Sequence, residues 1–231
     1  MGRIILTGDI HGDPMRLYPL SGKGLTKDDI VIVLGDFGLI WNDRERTKKV
    51  LELLGELNFT LAFVDGNHEN FDLIEQMEET IFWNDGAAGL LPGGVIHLYR
   101  GQIYKINNKV IGVCGGANSV DKDWREPKIS WWEQEEITHK DVETFRINLN
   151  DKYSEEKQKI DLMLSHDCPA SLVPLVALYS GVNGAAISNS QRQLEKILNL
   201  VEIDKWYFGH WHINKKISDK FECLYTDFKE V

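Results

Sequence analysis

Five short, mostly apolar runs in this chain each end in a polar side chain of a type that binds metal ions. They lie at residues 3–9, 29–36, 60–67, 161–167 and 205–212. Continuous apolar runs of this length predict strands that are buried on both faces, as in a parallel sheet. Between the second and third runs, residues 43–58 carry apolar side chains at helical spacing. The resulting β-α-β order indicates an α/β fold. The buried face of that helix is expected to contain Val50, Leu53, Leu54 and Leu57.

The middle of the chain has a different pattern. Three apolar segments follow one another closely, at residues 95–99, 102–106 and 109–116. Asn107 and Asn108 join the last two and predict a tight hairpin, because Asn tolerates positive φ. Residues 84–94 are rich in Gly and Pro and predict a loop. Ser130 and Glu133 are spaced as a capping box and predict a helix that begins there. The middle is therefore expected to be antiparallel, between parallel outer parts.

Composition narrows the class of protein. The 231 residues, 42% of them hydrophobic, are enough for one large globular domain over residues 1–231. The formal net charge of -10 gives no general attraction to nucleic acid or to an anionic membrane. The chain has neither an apolar run long enough to span a membrane nor a signal-peptide pattern. Cys114, Cys168 and Cys223 are widely spaced, which favours reduced, buried thiols and a cytoplasmic location.

The polar residues at the ends of the five runs share metal-ligand chemistry, and five of the seven histidines are among them. The set comprises Asp9, His11, Asp36, Asn67, His68, His166, His210 and His212. The carboxyl ends of parallel strands meet at one edge of a sheet, where ligands bind in open α/β folds. Oxygen and nitrogen donors without thiolate suit Mn, Fe, Zn, Co or Ni. So many donors suit two ions, about 3.5–4 Å apart, that share a carboxylate.

Five motifs carry a resemblance to a known family. They are "GDIHGD" at 8–13, "GD" at 35–36, "GNHE" at 66–69, "SHDCP" at 165–169 and "GHWH" at 209–212. Their order and spacing are similar to those of the calcineurin-like metallophosphoesterases of a bacterial or phage type. The first and third motifs also resemble those of the phosphoprotein phosphatases. The resemblance implies an α/β fold with two β-sheets packed as a sandwich and flanked by helices, in four αββα layers.

The resemblance also implies a role for each residue of the set. Asp9, His11 and His212 would bind the first metal ion. Asn67, His166 and His210 would bind the second ion, and Asp36 would bridge the two. His68 would bind no metal but would reach the leaving-group oxygen, so that His68 and Asp36 are the expected catalytic residues. Asn67 and His68 would also contact the substrate.

The chain departs from the family pattern after the bridging carboxylate. Leu39 stands where the family often has a second Asp, which orients ligands without binding metal, so metal binding should persist. The Arg that clamps phosphate in the phosphoprotein phosphatases is missing nearby. Arg125 is the candidate substitute for substrate binding, since Arg is favoured at phosphates. The alternative is that Arg125 is an ordinary surface residue.

The implied function is metal-dependent hydrolysis of phosphate mono- or diesters, with attack by hydroxide formed at two divalent ions. Manganese is the first choice of metal, with Fe, Zn, Co or Ni as alternatives. The substrate would be a small molecule or a phosphoprotein. Two other interpretations stay open: a nuclease of the same fold, which the net charge disfavours, and a metal-bound binding module without activity, which the presence of His68 disfavours.

Residues beside the motifs have simpler expectations. Asp13 and Asp65 are expected to cap helices or form turns. Glu69 is expected either to orient ligands or to begin the following helix. Trp131 and Trp132 are expected to pack against the sheet rather than line a cleft. The cleft itself is expected to be built by residues 84–94, 115–132 and 170–188.

Overall fold

The computed structural model describes residues 2–41, 43–153 and 159–231. The strands in these ranges are β1 Ile4–Thr7, β2 Ile30–Leu34, β3 Thr60–Val64, β4 Glu79–Trp83, β5 Gly86–Leu91, β6 Val95–Leu98, β7 Ile103–Ile106, β8 Lys109–Cys114, β9 Lys159–Ser165, β10 Glu202–Phe208, β11 Lys215–Lys216, β12 Phe221–Cys223 and β13 Lys229–Glu230. The α-helices are α1 Arg44–Gly55, α2 Phe71–Met77, α3 His139–Lys152, α4 Val173–Ser180 and α5 Asn189–Leu198.

The described strands form two mixed sheets. The first has the order β13-β1-β2-β3-β6-β5-β4 and the second has the order β11-β12-β10-β9-β8-β7. The central strands of each sheet run parallel, namely β1, β2, β3 and β6 in the first and β8, β9, β10 and β12 in the second. The antiparallel pairs lie toward the edges. The runs that end in ligand types are therefore the central, parallel strands of both sheets.

Strand β2 shows why these runs read as continuously apolar. All five of its residues are buried. Ile30, Ile32 and Leu34 point into the core between the sheets, together with second-sheet residues such as Leu164. Val31 and Val33 point the other way, into the core beneath the helices. Since successive side chains alternate between faces, a strand covered on both sides needs an apolar residue at every position.

Helices cover the outer face of each sheet. Leu51 and Leu54 of α1 and Ile74 of α2 pack against the first sheet. Helices α3, α4 and α5 pack against the second sheet through residues such as Phe145 and Leu194. The fold is thus the four-layer, two-sheet sandwich with flanking helices that the sequence predicts. None of the helices within the described ranges has the length and apolar character that crossing a membrane requires.

Two local predictions are wrong. The loop predicted at 84–94 contains β5, which pairs with both β4 and β6. Its small residues admit side chains from elsewhere, since a Cβ at Gly86 would lie 2.6 Å from the ring of Tyr104. In α1 the predicted face is wrong for Leu53, which is 65% exposed, and it omits the buried Thr47 and Leu51. Leu54 is buried, and Val50 and Leu57 pack partly buried against the core, as predicted. The Gly-rich composition of β5 suggested a loop. In the structure this strand has small residues because larger side chains would not fit against its neighbours.

The predicted helix at Ser130 is also wrong, whereas the Asn hairpin is confirmed. The Ser130 hydroxyl accepts a hydrogen bond from the backbone N–H of Glu126 instead of capping a helix. A single 3₁₀ turn follows at Glu133–Glu135, and α3 begins later. The hairpin between β7 and β8 turns at Asn107 and Asn108, whose φ angles are 50° and 64°.

A buried ionic cluster ties the first sheet to the segment before α3. Arg100 donates from Nε to Asp65 Oδ2 at 2.7 Å and from Nη1 to the carbonyl of Glu136 at 3.0 Å. His97 lies between two carboxylates, with Nδ1 2.9 Å from Glu78 Oε2 and Nε2 3.5 Å from Asp65 Oδ1. Asp65 is therefore an ion-pair partner and not the turn residue that the sequence predicts. Burial would lower the pKa of His97, but its hydrogen bonds to Asp65 and Glu78 raise the pKa to about 9.

We predict that His97→Gln destabilises the protein mainly at neutral and acidic pH. Because folding raises the pKa of His97 from 6.5 to about 9, its stabilising contribution is complete below 6.5 and is lost as pH rises through 9. That contribution is at most about 3 kcal/mol. Urea unfolding in chelator, at about pH 6 and about pH 10, would measure the gap between wild type and variant. A gap of equal size at both pH values would contradict a protonated His97.

Candidate metal centre

The predicted ligand residues come together where the two sheets converge. Asp9 and His11 follow β1, Asp36 follows β2, and Asn67 and His68 follow β3. The second sheet contributes His166 after β9, and His210 and His212 after β10. The sequence predicted these ligands at the edge of one sheet. In the structure, the carboxyl ends of central strands from both sheets face one another here.

The first group of candidate ligand atoms comes from Asp9, His11, Asp36 and His212, all within 4.8 Å of one another. His212 Nε2 lies 3.1 Å from Asp9 Oδ2, and His11 Nε2 lies 3.8 Å from the same oxygen. The two Nε2 atoms of His11 and His212 are 2.9 Å apart. These donors therefore point at a common position.

The second group comes from Asp36, His166 and His210, again within 4.8 Å of one another. His166 Nε2 lies 3.2 Å from Asp36 Oδ1 and 3.2 Å from Asn67 Oδ1. His166 Nδ1 is 2.8 Å from the carbonyl of Leu34, so that carbonyl can accept its N–H and leave Nε2 free to bind. Asp36 belongs to both groups, which is the arrangement that two ions sharing one carboxylate require.

The backbone at these strand ends is held in an unusual conformation. Of nine non-glycine residues with positive φ in the described ranges, four are candidate ligands: His11, Asp36, His210 and His212. Such conformations cost free energy and persist where the surrounding structure fixes them. Asp36 is fixed through Oδ1, which accepts hydrogen bonds from the backbone N–H groups of Asn67 and His68 at 2.9 and 2.8 Å. Backbone strain of this kind is typical of functional sites.

The chemistry of the residues fits divalent metal ions. Asp9 Oδ2 is buried and has no hydrogen-bond partner among the described residues, although a buried carboxylate oxygen needs one. Its other oxygen, Oδ1, accepts the backbone N–H of His210 at 3.0 Å. The free oxygen faces the imidazoles of His11 and His212 and so completes a set of oxygen and nitrogen donors. That set matches the preferences of Mn, Fe, Zn, Co and Ni.

Positive charge beside the carboxylates of the centre stabilises their ionised form. Burial opposes ionisation of Asp36, but the charge of His166 and further imidazoles outweighs it and holds the pKa of Asp36 well below its usual range. Burial would likewise lower the pKa of His166, but the Asp36 carboxylate raises it to about 10. The Asp9 carboxylate, whose Oδ2 lies 3.1 Å from His212 Nε2, raises the pKa of His212. Protonated imidazoles thus balance the acids in this structure, a balance that bound cations would also provide.

His68 and Arg125 lie side by side at the open edge of the centre. Arg125 Nη2 is 3.0 Å from His68 Nε2, and Arg125 Nη1 is 3.4 Å from the carbonyl of Asn67. The guanidinium is largely buried, and its Nε lies 2.8 Å from Asp121 Oδ1. Arg125 is therefore built into the site and is not an ordinary surface arginine. Burial lowers the pKa of His68, against the opposing effect of Asp36.

Of the three residues that support these ligands, sequence reasoning indicated Glu69 and missed the other two. Glu69 accepts hydrogen bonds from the backbone N–H of Phe37 at 2.7 Å and of Gly38 at 3.1 Å, and so holds the turn after Asp36. Burial raises the pKa of Glu69 to about 8. Ser119 and Glu135 hydrogen bond to each other beneath Asn67. The motif "GNHE" indicated Glu69, but no local pattern pointed to Ser119 or Glu135.

A cavity of about 670 Å³ opens beside the metal centre. Asp36, Asn67, His68, Arg125, His210 and His212 form its inner end. The remaining lining comes largely from residues within 115–132 and 170–188, as the sequence predicts, but not from 84–94. Trp131 and Trp132 are buried outside the lining, in agreement with the packing role predicted for them. Asp13 caps the 3₁₀ helix Pro14–Leu20, which confirms its predicted role.

Comparisons with known proteins agree with this fold. A family model described as calcineurin-like phosphoesterase matches residues 2–214. Among solved structures, TT1561 of Thermus thermophilus is similar with a TM-score of 0.50 and 10% identity, over 97% of this chain and 90% of that chain. A Saccharomyces cerevisiae protein serine/threonine phosphatase with similarity to human PP5 gives 0.40 and 13%, over 97% of this chain and 67% of that chain. The curated protein sequences gave no significant match.

The sandwich with metal-ligand types at its strand ends, together with the family match, defines a phosphoesterase-type hydrolase. The chain belongs to the calcineurin-like phosphoesterase family, whose model spans nearly all of it. Family membership and the two candidate ligand groups support a metal-dependent phosphoesterase.

We predict that Gly35→Ala damages the centre by displacing His166. Gly35 has a φ of 88°, and a Cβ there would lie 2.1 Å from His166 Nδ1 and 2.6 Å from His166 Cβ. The strained backbone and the overlap should together lower the free energy of unfolding by about 3 kcal/mol. Urea unfolding in chelator would measure the loss.

Gly22→Ala is the matched control for this substitution. A Cβ at Gly22 would meet nothing within 4 Å, and its φ lies outside the left-handed region. The control should change the free energy of unfolding by less than about 0.5 kcal/mol. Equal stability of the two variants would show that His166 can move aside without cost.

Proposed function

We propose that this protein is a dinuclear metal-dependent phosphoesterase that hydrolyses phosphate mono- or diesters. The observation that carries the proposal is the membership of Asp36 in two separate groups of candidate ligands. One carboxylate between two imidazole-rich groups is the arrangement that suits a pair of divalent ions. Asp9, His11 and His212 would hold one ion, Asn67, His166 and His210 the other, and Asp36 both.

Bound divalent ions would supply a nucleophile by lowering the pKa of water and would neutralise charge on the phosphoryl oxygens. Manganese is our first choice of metal, and the oxygen and nitrogen donors without a thiolate also suit Fe, Zn, Co or Ni. The free, buried cysteines Cys114, Cys168 and Cys223 favour a reducing compartment, and we infer a cytoplasmic protein on that ground.

The chain's own residues would bind and orient the ester. Arg125 is positioned to donate two N–H groups to a phosphoryl oxygen beside Asn67, since its guanidinium already lies against that residue's carbonyl. His68 would donate a hydrogen bond to the departing oxygen. Burial favours the neutral imidazole of His68, which still carries one N–H to donate, and the departing oxygen would take the proton that completes the alcohol from solvent.

The substrate would be a small phosphate ester or a phosphoprotein. A cavity of about 670 Å³ is large enough to enclose a small molecule. Among the described residues that line it, Arg125 is the single Lys or Arg. A nuclease would need a row of cations along a groove, so the lining favours a substrate with one phosphoryl group over a nucleic acid.

We predict manganese-dependent release of p-nitrophenol from p-nitrophenyl phosphate or from its bis ester, after chelator treatment and addition of Mn. Asp36→Asn should abolish release and lower the bound Mn from two ions to at most one. His68→Ala should keep both ions and lose about 10²–10⁴-fold in kcat for esters with poor leaving groups, because it removes the group that contacts the leaving oxygen and leaves every proposed metal ligand in place.

Asp13→Asn is the matched control, since this exposed carboxylate lies in the same motif but caps a 3₁₀ helix. It should leave metal content and turnover unchanged. Two bound ions without release from either ester would contradict the enzyme and support a silent binding module. Loss of metal from His68→Ala would mean that His68 is a ligand.

A further inference from the structure

One wall of the cavity beside the metal centre is apolar and lies open. Val120, Val182, Ala185, Ala186 and Ile187 line it, together with part of Trp211. Val120 is 99% exposed, Val182 is 49% exposed and Ile187 is 38% exposed. This wall belongs to the same cavity as the candidate metal centre, because Asn67 and His68 also line that cavity.

The charges around the cavity limit what else can bind. Arg125 is its single Lys or Arg among the described lining residues and is already paired with Asp121, at 2.8 Å. Asp167 also lines the cavity, and its Oδ1 accepts the indole N–H of Trp211 at 2.9 Å. A second phosphate or a carboxylate on the substrate would therefore meet acids, neutral polar groups such as Ser188 and Gln191, and apolar side chains, with no further Lys or Arg to pair with.

We propose that this wall is a subsite for an uncharged, apolar substituent of the phosphate ester, such as an alkyl or aryl group. The subsite, defined as Val120, Val182, Ala185, Ala186 and Ile187, rests on the proposed phosphoesterase function. Arg125 and the metal centre would hold the phosphoryl group while the substituent displaces water from the wall. Burial of apolar surface makes binding roughly threefold to fourfold tighter for each methylene group that reaches the wall.

Alkylphosphonates test this subsite without requiring turnover. Calorimetry would compare ethylphosphonate, hexylphosphonate and a glycol-ether phosphonate of the same length on the manganese-loaded protein. Hexylphosphonate should bind at least tenfold more tightly than either of the others. Hydrolysis of the matching alkyl phosphates, whose leaving groups are similar, should rank in the same order by kcat/KM.

Ile187→Asn should remove this chain-length preference, whereas Leu200→Asn should retain it. The two residues are equally exposed, at 38%, but only Ile187 lines the cavity. Equal affinity for the two alkyl chains in wild type, or the same preference in both variants, would overturn the subsite. Failure of every ester to react while the binding preference persists would overturn the enzymatic function alone.

A separate observation concerns how the amide of Asn67 is oriented. Asn67 Nδ2 donates to Ser119 Oγ at 3.1 Å, and the Ser119 hydroxyl donates to Glu135 Oε2. The other carboxylate oxygen, Glu135 Oε1, accepts the backbone N–H of Trp132 at 3.2 Å. Ser119 and Glu135 are both buried. We call these hydrogen bonds the Glu135–Ser119–Asn67 relay.

The number of protons available along the relay determines which way the Asn67 amide faces. Burial raises the pKa of Glu135 to about 7, so above that pH Glu135 is ionised and accepts the single proton of the Ser119 hydroxyl. Ser119 can therefore only accept from Asn67, which must present its NH₂ group there. The amide oxygen then faces His166 Nε2, at 3.2 Å, on the side of the candidate metal centre.

We infer that Glu135 and Ser119 are positioning residues that turn the oxygen of Asn67, and not its nitrogen, toward the second metal ion. Glu135→Gln should reverse the relay. The glutamine amide would donate to Ser119, Ser119 would donate to the Asn67 oxygen, and the Asn67 NH₂ would face the metal. Loss of such an orienting partner typically weakens metal binding by about 10–100-fold.

The test measures binding of the second Mn ion by calorimetry and by the electron paramagnetic resonance signal of the coupled Mn pair, at a pH above 8. Glu135→Gln should weaken that ion about tenfold or more and leave the first unchanged. Glu133→Gln, an exposed neighbour in the same 3₁₀ turn, is the control and should change neither.

The most discriminating experiment introduces Glu135→Gln into a protein that already carries Asn67→Asp. A carboxylate offers oxygen on both sides, so reversal of the relay should then cost no affinity. Equal weakening in both backgrounds, or wild-type affinity in Glu135→Gln, would overturn the relay and indicate a structural role only. A wild-type protein that binds a single Mn ion would overturn the dinuclear centre as well.

Discussion

The Asp36 carboxylate is the point on which the two halves of the structure converge. Its Oδ1 accepts two backbone N–H groups from the β3 end of the first sheet and also faces His166 from the second sheet. Its Oδ2 faces His11, 3.8 Å from Nδ1. A buried carboxylate in this position must stay ionised, which requires positive charge from both sheets. The two sheets must therefore pack in such a way that the charges at their strand ends balance.

That constraint explains why the strand ends are strained. The chain must turn sharply after each central strand to aim a ligand back toward Asp36, and positive φ at His11, His210 and His212 achieves this. Glycines precede several of these turns because neighbouring side chains leave no room for a Cβ, as at Gly209, where one would lie 2.3 Å from Asp9 Oδ1. The extensive core between the sheets offsets the local cost.

The sequence predicted which polar residues the fold brings together, because the pattern that carries them is local. Each ligand directly follows a buried strand, so apolar run and polar end appear together, as in "IILTGD" or "GHWH". The supporting residues could not be predicted in this way. Ser119 and Glu135 meet Asn67 across 52 and more positions of the chain, and Asp65 meets Arg100 across 35. Strand β5 was missed for a related reason, because its residues are small to make room for side chains from other strands, such as Tyr104.

The overall charge of the chain and the charge of the site are set independently. A net charge of -10 would repel a phosphate ester at long range. Within a Debye length of about 10 Å, the local arrangement decides. There the acids are paired with groups of the site, since Asp9 and Asp36 face imidazoles and Asp121 faces Arg125. Burial also raises the pKa of Glu69 to about 8, which removes much of its negative charge at neutral pH. An acidic protein can therefore carry a locally positive centre, since divalent ions held between these carboxylates and imidazoles would supply the positive charge.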